Sequence, residues 1–557
     1  MEVMKKKVIK ILRLILWFFE MGLAMLCLLL LFVLFKSYIL PPAVPEVSIG
    51  KRTQLSENHF VLGNNYLKKN EFGIWEMYLE GEPYERGLIY GELAQELIQK
   101  QEDIFVGQIN QLVPNRFWQN FLRMLIGYFN SEIPSYIPLE NQQEIYGISQ
   151  SFSDQYDYIA PKYMRILNYH AAHDIGHALN DYSMVGCTSF SLKGARTAGG
   201  EMLIGRNFDF YVGDEFAKEK LVLFVAPSEG YKFVSYSWAG FTGVASGLNE
   251  KGLSVTINAS KSSLPVGSKM PISLLARRIL QYASTIDQAV AIAKESETFV
   301  SETIMIGSAS DGKTVLIEKS PDRMDVYDSF SDKLVCSNHY QSDLFKLDEI
   351  NLNNIEKSDS KFRFQRVNTL IDLAGVVDVS KVIEFLRDQS DINGDTLGMG
   401  NPRAVNQLIA HHSVVIAPES REFYISTSDF QLGKFIGYDL SEIFKTKKIV
   451  VSDTILESEF IYSSNYAKFK EFSRIKKEIT SYLLFDIQIS LSEQDCNYFI
   501  SQNSESYVTY ELLGKYFMKK GDLAVASKFF AVALTKKVAS INDENEIKSL
   551  QEKCRAN

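Results

Sequence analysis

The chain has 557 residues, 46% of them apolar and 23% charged, with a net charge of -9. This composition fills about two to four domains and excludes a disordered chain or a polyanion binder, so nucleic acid is not an expected partner. The five cysteines, Cys27, Cys187, Cys336, Cys496 and Cys554, show no paired spacing and no C-x-x-C, which argues against a disulfide framework or a zinc ribbon.

Residues 1–13 are basic, carrying Lys5, Lys6, Lys7, Lys10 and Arg13. Leu14 to Phe35 then holds one ionisable group, Glu20, near its start. A helix of roughly 22 residues at about 1.5 Å each crosses roughly 30 Å of hydrocarbon. The following "LFKSYILPPAVPEVSIG" offers no A-x-A cleavage signal, so an uncleaved anchor at 14–35 is expected rather than a removed signal peptide. Cys27 in "AMLC" lacks the small residue that precedes a lipidated cysteine. Only Lys36 follows closely, and the positive-inside bias predicts a single-pass cell-membrane protein with a cytoplasmic N-terminus and an extracytoplasmic body. Residues 36–59 read as a proline-containing stalk.

From Tyr84 to about Asn180, apolar residues recur at three- and four-residue spacings, and 60–186 is read as a mostly helical segment. From Thr188 the texture changes to short β-type runs, among them "KLVLFVAP", "KFVSYSWAG", "ETIMIGSASDGKTVLIEKS" and "HSVVIAPESREFYIST". The connections "LNEKG", "ASDGK" and "APESRE" predict hairpins and largely antiparallel sheets. Helical stretches such as "PISLLARRILQYASTIDQAVAIAKES" alternate with them, so 187–453 is expected to be a layered α+β sandwich. After about Thr454 the β texture stops. The tail, 454–557, is read as helical, and about 507–540 resembles one tetratricopeptide repeat through Tyr510, Leu513, Gly514, Phe517, Gly521, Ala526, Phe530 and Ala533. A single repeat lacks a stable core of its own, so a hairpin packed on the main domain is expected, with a protein-docking surface as the alternative.

Between the two textures stands "YSMVGCTSF", with Gly186 before Cys187. A catalytic thiol needs a base, usually histidine, and the chain has seven. The flanks of Cys187 do not carry a papain-type signature. If the bond before Cys187 is broken, its own α-amino group, of pKa about 8, is in reach of the thiol and serves as the base. Glycine at 186 leaves the scissile carbonyl open and tolerates a strained backbone.

The ordered stretches "GCTSF", "GRNFDF", "GLNEKGLSVTINAS", "CSNHY" and "SKFRFQR" resemble the motifs of N-terminal nucleophile hydrolases of the choloylglycine hydrolase, penicillin V acylase and acyl-coenzyme A:isopenicillin N acyltransferase group. "LEGEPYERGLIYGE" resembles the opening of the acyltransferase branch, which keeps a pro-segment and cleaves itself before the nucleophilic cysteine. The resemblance covers roughly residues 75 to 430 and implies an αββα sandwich, with hydrolysis or acyl transfer of linear amides. It implies Cys187 as nucleophile, Gly186 as the residue whose carbonyl is attacked in maturation, and Arg206 and Asp209 beside the nucleophile. Asn258 is implied as an oxyanion donor, Asn338 as a second site asparagine, and Arg363 as a network arginine with Arg366 as its competitor. Chemically, a carboxylate orients the amine, a guanidinium steadies thiolate or oxyanion charge, and an amide donates to the developing charge. The "NAS" at Asn258 is also a glycosylation sequon, which its place at a strand end in the site argues against.

The rival constellation is His170, His173 and His177, on one helix face with Asp174 adjacent. It is not H-E-x-x-H, and no metal is called for. His411 and His412 read as ordinary strand residues, and His339 as a pocket neighbour of Asn338. The expected function is a membrane-anchored, self-cleaving amide hydrolase acting through a Cys187 thioester on a small-molecule acyl amide, with no cofactor. The alternatives are an acyltransferase that uses an amine acceptor, and an inactive binding protein that works through its tail.

Overall fold

The computed structural model describes residues 2–179, 185–210, 213, 215–261 and 267–556; the side chains of 2–6, 8, 112, 172, 173, 175–179 and 185 are outside the description. The β-branched and aromatic runs form two sheets, as pleated, half-buried surfaces favour. The larger has eleven strands in the order Thr53–Ser56, His59–Leu62, Asn65–Lys69, Trp75–Gly81, Lys220–Pro227, Phe233–Trp238, Ser246–Asn249, Leu253–Ala259, Glu302–Ser308, Lys313–Lys319 and Met324–Tyr327. The smaller has seven, in the order Lys333–Cys336, Val185–Leu192, Leu203–Phe210, His412–Ala417, Glu422–Ser426, Phe435–Asp439 and Asp453–Ile455. Trp75–Gly81 pairs in parallel with Lys220–Pro227; the other pairings are antiparallel.

Strand alternation sorts the side chains into three cores. Val222, Phe224 and Tyr236 of the larger sheet meet Ile204, Val414, Ile416 and Ile425 of the smaller one between the sheets. Their strand neighbours Leu221, Leu223 and Val225 point the other way, onto a helical layer that includes Leu93, Ile148, Leu167 and Leu275. The outer face of the smaller sheet, with Phe190, Val415 and Tyr424, is covered by Val367, Ile371, Val382 and Phe385. The result is the helix, sheet, sheet, helix order of an αββα sandwich, in the α+β class the sequence implies.

Two boundaries differ from the sequence reading. Residues 36–59 are not a free stalk: Ile39 is buried in the main core, Ala43 O accepts from Gln143 Nε2 at 2.8 Å, and Arg52 pairs with Glu96. The 60–186 segment is helical only from Pro83 to Leu179, because Thr53 to Gly81 supplies four strands to the larger sheet. These strands are short and partly polar, and their periodicity is decided by the sheet they join. A buried ion cluster ties the same segment to the sandwich. Glu144 Oε2 accepts from Arg86 at 2.6 Å and from Arg277, on the helix Ile272–Tyr282, at 3.2 Å.

The tail has five helices, from Ser464–Phe485 to Ile541–Ala556. Gly514 lets Tyr507–Lys520 approach Leu523–Ala533, since a β-carbon there would meet the Phe530 ring at 2.6 Å. The tail also packs on the sandwich through Phe469, Phe472 and Leu513, which share a core with Leu408 and Leu432.

Candidate active site

Cys187 lies in the strand Val185–Leu192, paired with Phe208 of Leu203–Phe210, while Gly186 faces Asp209 and Ser189 faces Arg206. Alternation puts Cys187, Ser189, Arg206 and Phe208 on the face toward the larger sheet, and Gly186, Thr188 and Asp209 on the face toward the outer helices. Arg206 and Asp209 therefore lie on opposite faces of their strand and flank Cys187 from two sides.

On the inner face, Arg206 Nη2 donates to Cys187 Sγ at 3.8 Å and to Ile257 O, and Nη1 donates to Ser246 Oγ at 2.7 Å. Its guanidinium rests on the Phe208 ring, 4.3 Å from the centroid. Ser189 Oγ donates to Asn258 Oδ1 at 2.8 Å, and Asn258 Nδ2 makes a long 3.4 Å contact to Ser337 O. At the backbone, Asn338 Oδ1 accepts from Cys187 N at 2.9 Å and from Arg363 Nη2 at 2.7 Å. Arg363 Nη1 donates to Cys187 O at 2.6 Å, and to Thr188 Oγ1 and Ser337 Oγ at 3.0 Å. Arg366 instead forms a two-pronged pair with Asp388, both contacts at 2.8 Å, so Arg363 is the arginine at the cysteine.

The electrostatics are those of a closed site. Cys187 is 1% exposed, and burial pushes its thiol up to about 11, with Arg206 pulling the other way. Asp209 is fully buried; its Oδ2 accepts from Gln407 Nε2 at 3.3 Å and its Oδ1 has no partner among the described residues. Burial raises this carboxyl to about 8 against the pull of Arg363 and Arg206.

Several residues at the site were not legible in sequence. Gln407 sits over Gly186 and Asp209. Glu302, opposite Ala259 in the sheet, is fully buried with neither carboxylate oxygen partnered among the described residues; burial and Asp174 hold it well above the usual carboxylate range, opposed by Arg206. His411 and His412 are more than strand residues: His412 Nε2 lies 3.0 Å from Ser246 Oγ and 3.5 Å from Arg206 Nη1, and the two rings meet Nδ1 to Nδ1 at 2.9 Å. Burial pushes both well below the ordinary histidine value. The adjacent basic residues act in the same direction, so both rings are neutral.

His170 has its ring nitrogens engaged within the protein, Nδ1 with Ile166 O at 2.8 Å and Nε2 with Thr242 N and Oγ1 at 3.0 Å. Burial lowers it to about 4. It is a structural tie between layers; the side chains of His173 and His177 lie outside the described residues. His339 is also buried, with Nδ1 2.7 Å from Ser360 Oγ.

Beside the cysteine strand is an aromatic cavity. Phe210, Phe216, Trp238 and Phe241 of the sandwich face Phe105 and Tyr169 of the preceding helices. The ring of Phe208, the residue opposite Cys187, stacks on Phe210, 5.5 Å between centroids, and links this cavity to the cysteine strand.

Residues 196–408 match the acyl-coenzyme A:6-aminopenicillanic acid acyl-transferase family. The match spans less than half of the chain; it includes Arg206, Asp209, Asn258, Asn338 and Arg363 and begins just after Cys187. An uncharacterized protein of Archaeoglobus fulgidus is 26% identical over 357 residues, 56% of this chain and 58% of that protein. The chain thus spans less than two thirds of that relative's length. Among solved structures, the chain is similar to a Caenorhabditis elegans N-acylethanolamine-hydrolyzing acid amidase ortholog, with 18% identity, 42% of this chain and 93% of that one covered, and a TM-score of 0.30. It is also similar to a conjugated bile acid hydrolase from Clostridium perfringens, with 17% identity, coverage of 48% and 96%, and a TM-score of 0.33. For a penicillin V acylase from Agrobacterium tumefaciens the values are 17%, 46% and 87%, and 0.33. The layer order described above rests on the three cores and not on these low overall superpositions.

Proposed function

We propose that the protein is a membrane-anchored, self-cleaving amide hydrolase whose nucleophile is Cys187. The observation that carries this reading is the double grip on one residue: Arg206 at the sulfur, and Asn338 with Arg363 at the backbone nitrogen and carbonyl. A structural cysteine needs no such grip.

In maturation, Cys187 Sγ attacks the Gly186 carbonyl carbon. The C–N bond breaks, the thiol proton goes to the Cys187 nitrogen, and a thioester forms. Water then cleaves the thioester, leaving a carboxyl on Gly186, a thiol on Cys187 and a free α-amine. The unpartnered Asp209 oxygen suits an ammonium at this place, and Arg206 lowers the cost of thiolate charge. In turnover the amine takes the thiol proton, sulfur attacks the substrate carbonyl, Asn258 Nδ2 donates to the oxyanion, and the ammonium protonates the departing amine. Water releases the acyl group. The family match favours a second reading, in which an amine acceptor replaces water.

The anchor rests on Ile9–Lys36, 28 residues long and, among the described residues, the one helix long and apolar enough to cross a membrane. With the basic residues before it, the body lies on the extracytoplasmic side. The tail is read as a buttress rather than a partner-docking repeat, since its apolar residues pack on the sandwich. The test is release of amine from a panel of N-acyl amides by processed protein, with and without added primary amines. Activity lost in Cys187→Ala supports the reading; equal activity in that variant overturns it.

A further inference from the structure

The helix Arg116–Phe129 has a built start, with Asn115 Oδ1 accepting from Phe117 N at 2.9 Å and Trp118 N at 3.4 Å, and it follows Pro114. Its sequence, RFWQNFLRMLIGYF, is unusual for a helix on a protein surface. Phe117 is 70% exposed, Trp118 54%, Leu125 44% and Tyr128 45%, and Phe121 and Leu122 between them are also exposed. These residues form a continuous apolar stripe with an aromatic majority, and no residue of the helix is acidic.

Its position points to what covers that stripe. Gly127 abuts the end of the apolar N-terminal helix so closely that a β-carbon on it would stand 2.9 Å from Ser37 Cβ. Lys36 reaches Glu132 at 3.8 Å, just past the helix end. The chain re-enters the folded core at Ile39, so almost no slack separates the apolar helix from the body. Tyr38 and Leu40, on either side of Ile39, are exposed at the same junction.

We infer that Arg116–Phe129 lies in the plane of the membrane interface beside the anchor, with Phe117, Trp118, Phe121, Leu122, Leu125 and Tyr128 seated in the lipid. This rests on the anchor reading above. Aromatic residues favour the headgroup boundary, and an amphipathic helix of this kind buries its apolar face about 5–10 Å deep. Arg116, at the start of the helix, suits the phosphates of the same layer, while Arg123 on the opposite side donates to Tyr158 O and ties the helix to the body. The occupant is thus a phospholipid surface, and the sandwich is held flush against the bilayer rather than on a tether. Amphiphilic acyl amides dissolved in that bilayer are then the accessible substrate pool.

The chain has four tryptophans, and Trp75 and Trp238 are buried, so Trp118 and Trp17 are separable probes. Full-length protein is reconstituted in phosphatidylcholine and phosphatidylglycerol vesicles whose acyl chains carry bromine either near the headgroup or near the methyl end. In Trp17→Phe, shallow bromine is expected to quench Trp118 more than deep bromine, with loss of that signal in Trp17→Phe/Trp118→Phe and in Trp17→Phe/Phe117→Glu/Phe121→Glu. In Trp118→Phe, quenching of Trp17 reports the anchor independently. Quenched Trp17 with Trp118 open to aqueous iodide and untouched by bromine overturns the interface helix alone. Failure of both overturns the anchor as well.

Discussion

The side-chain amide of Gln407 occupies the space beside Gly186: a β-carbon on that glycine would stand 2.6 Å from Gln407 Nε2. Gly186 is not among the glycines of positive φ, so what a side chain here would meet is the Gln407 amide and not backbone strain. Since the same Nε2 donates to Asp209, Gly186→Ala must push Gln407 off the carboxyl. In an uncut Cys187→Ala chain, Gly186→Ala is expected to cost about 1–3 kcal/mol in urea unfolding, with Gln407→Ala added to it recovering part of the loss. Additive losses would contradict the contact.

Asp209 makes the uncut chain sensitive to alkali. Its carboxyl is raised from 3.8 to about 8, mainly by burial, so the unfolded chain loses this proton first. The stability it contributes is complete below about pH 4 and is lost as pH rises through about 8. In the Cys187→Ala background, Asp209→Asn should therefore gain on its parent between those values, by up to about 1.4 kcal/mol per pH unit. Denaturant melts across that range check the sign; a flat difference contradicts it.

Glu144 behaves oppositely. Burial pushes it up, but Arg277 and Arg86 outweigh burial and hold it at about 2, so its stabilisation is present above about pH 4.5 and lost as pH falls toward 2. Glu144→Gln leaves two buried guanidiniums short of their partner and is expected to cost about 3–5 kcal/mol. The cluster joins the segment before Cys187 to the sandwich, so after cleavage the same variant should release the first fragment at lower urea than the parent. Gel filtration of processed protein in urea measures this.

The Gly186–Cys187 pair was legible because it is local, whereas Arg206 and Asp209 in "GRNFDF" were pointed to by the family resemblance; the structure puts them on the strand paired with that of Cys187, in sheets that the β texture predicts. Gln407, Glu302 and Ser337 were not legible, because a lone Gln, Glu or Ser carries no period or spacing and reaches the site only through the tertiary fold. The choice between Arg363 and Arg366 was open for the same reason: they sit three residues apart on one helix, and only packing sends one to Cys187 and the other to Asp388. Residues 53–81 misled because short, half-polar strands acquire their pattern from the sheet they join.

The tail holds a segment of the sandwich that leads toward the site. Met399 N donates to Asn503 Oδ1 at 3.0 Å, Asn503 Nδ2 donates back to Met399 O at 2.9 Å, and Asn401 Nδ2 donates to Lys537 O at 2.8 Å. The segment held this way leads to Gln407 and Leu408. Asn503→Ala is expected to cost about 1–3 kcal/mol, the net value of two buried hydrogen bonds, and to slow self-cleavage. Time courses of fragment appearance test this, and an unchanged rate would confine the tail to stability.

Intact mass and N-terminal sequencing of the purified protein beside Cys187→Ala bear most directly on the chemistry. Two associated fragments, the second beginning Cys-Thr-Ser-Phe, with a single uncut chain in the variant, are the expected result. A single intact chain in both leaves Cys187 without a free amine and with its thiol buried, and contradicts the mechanism.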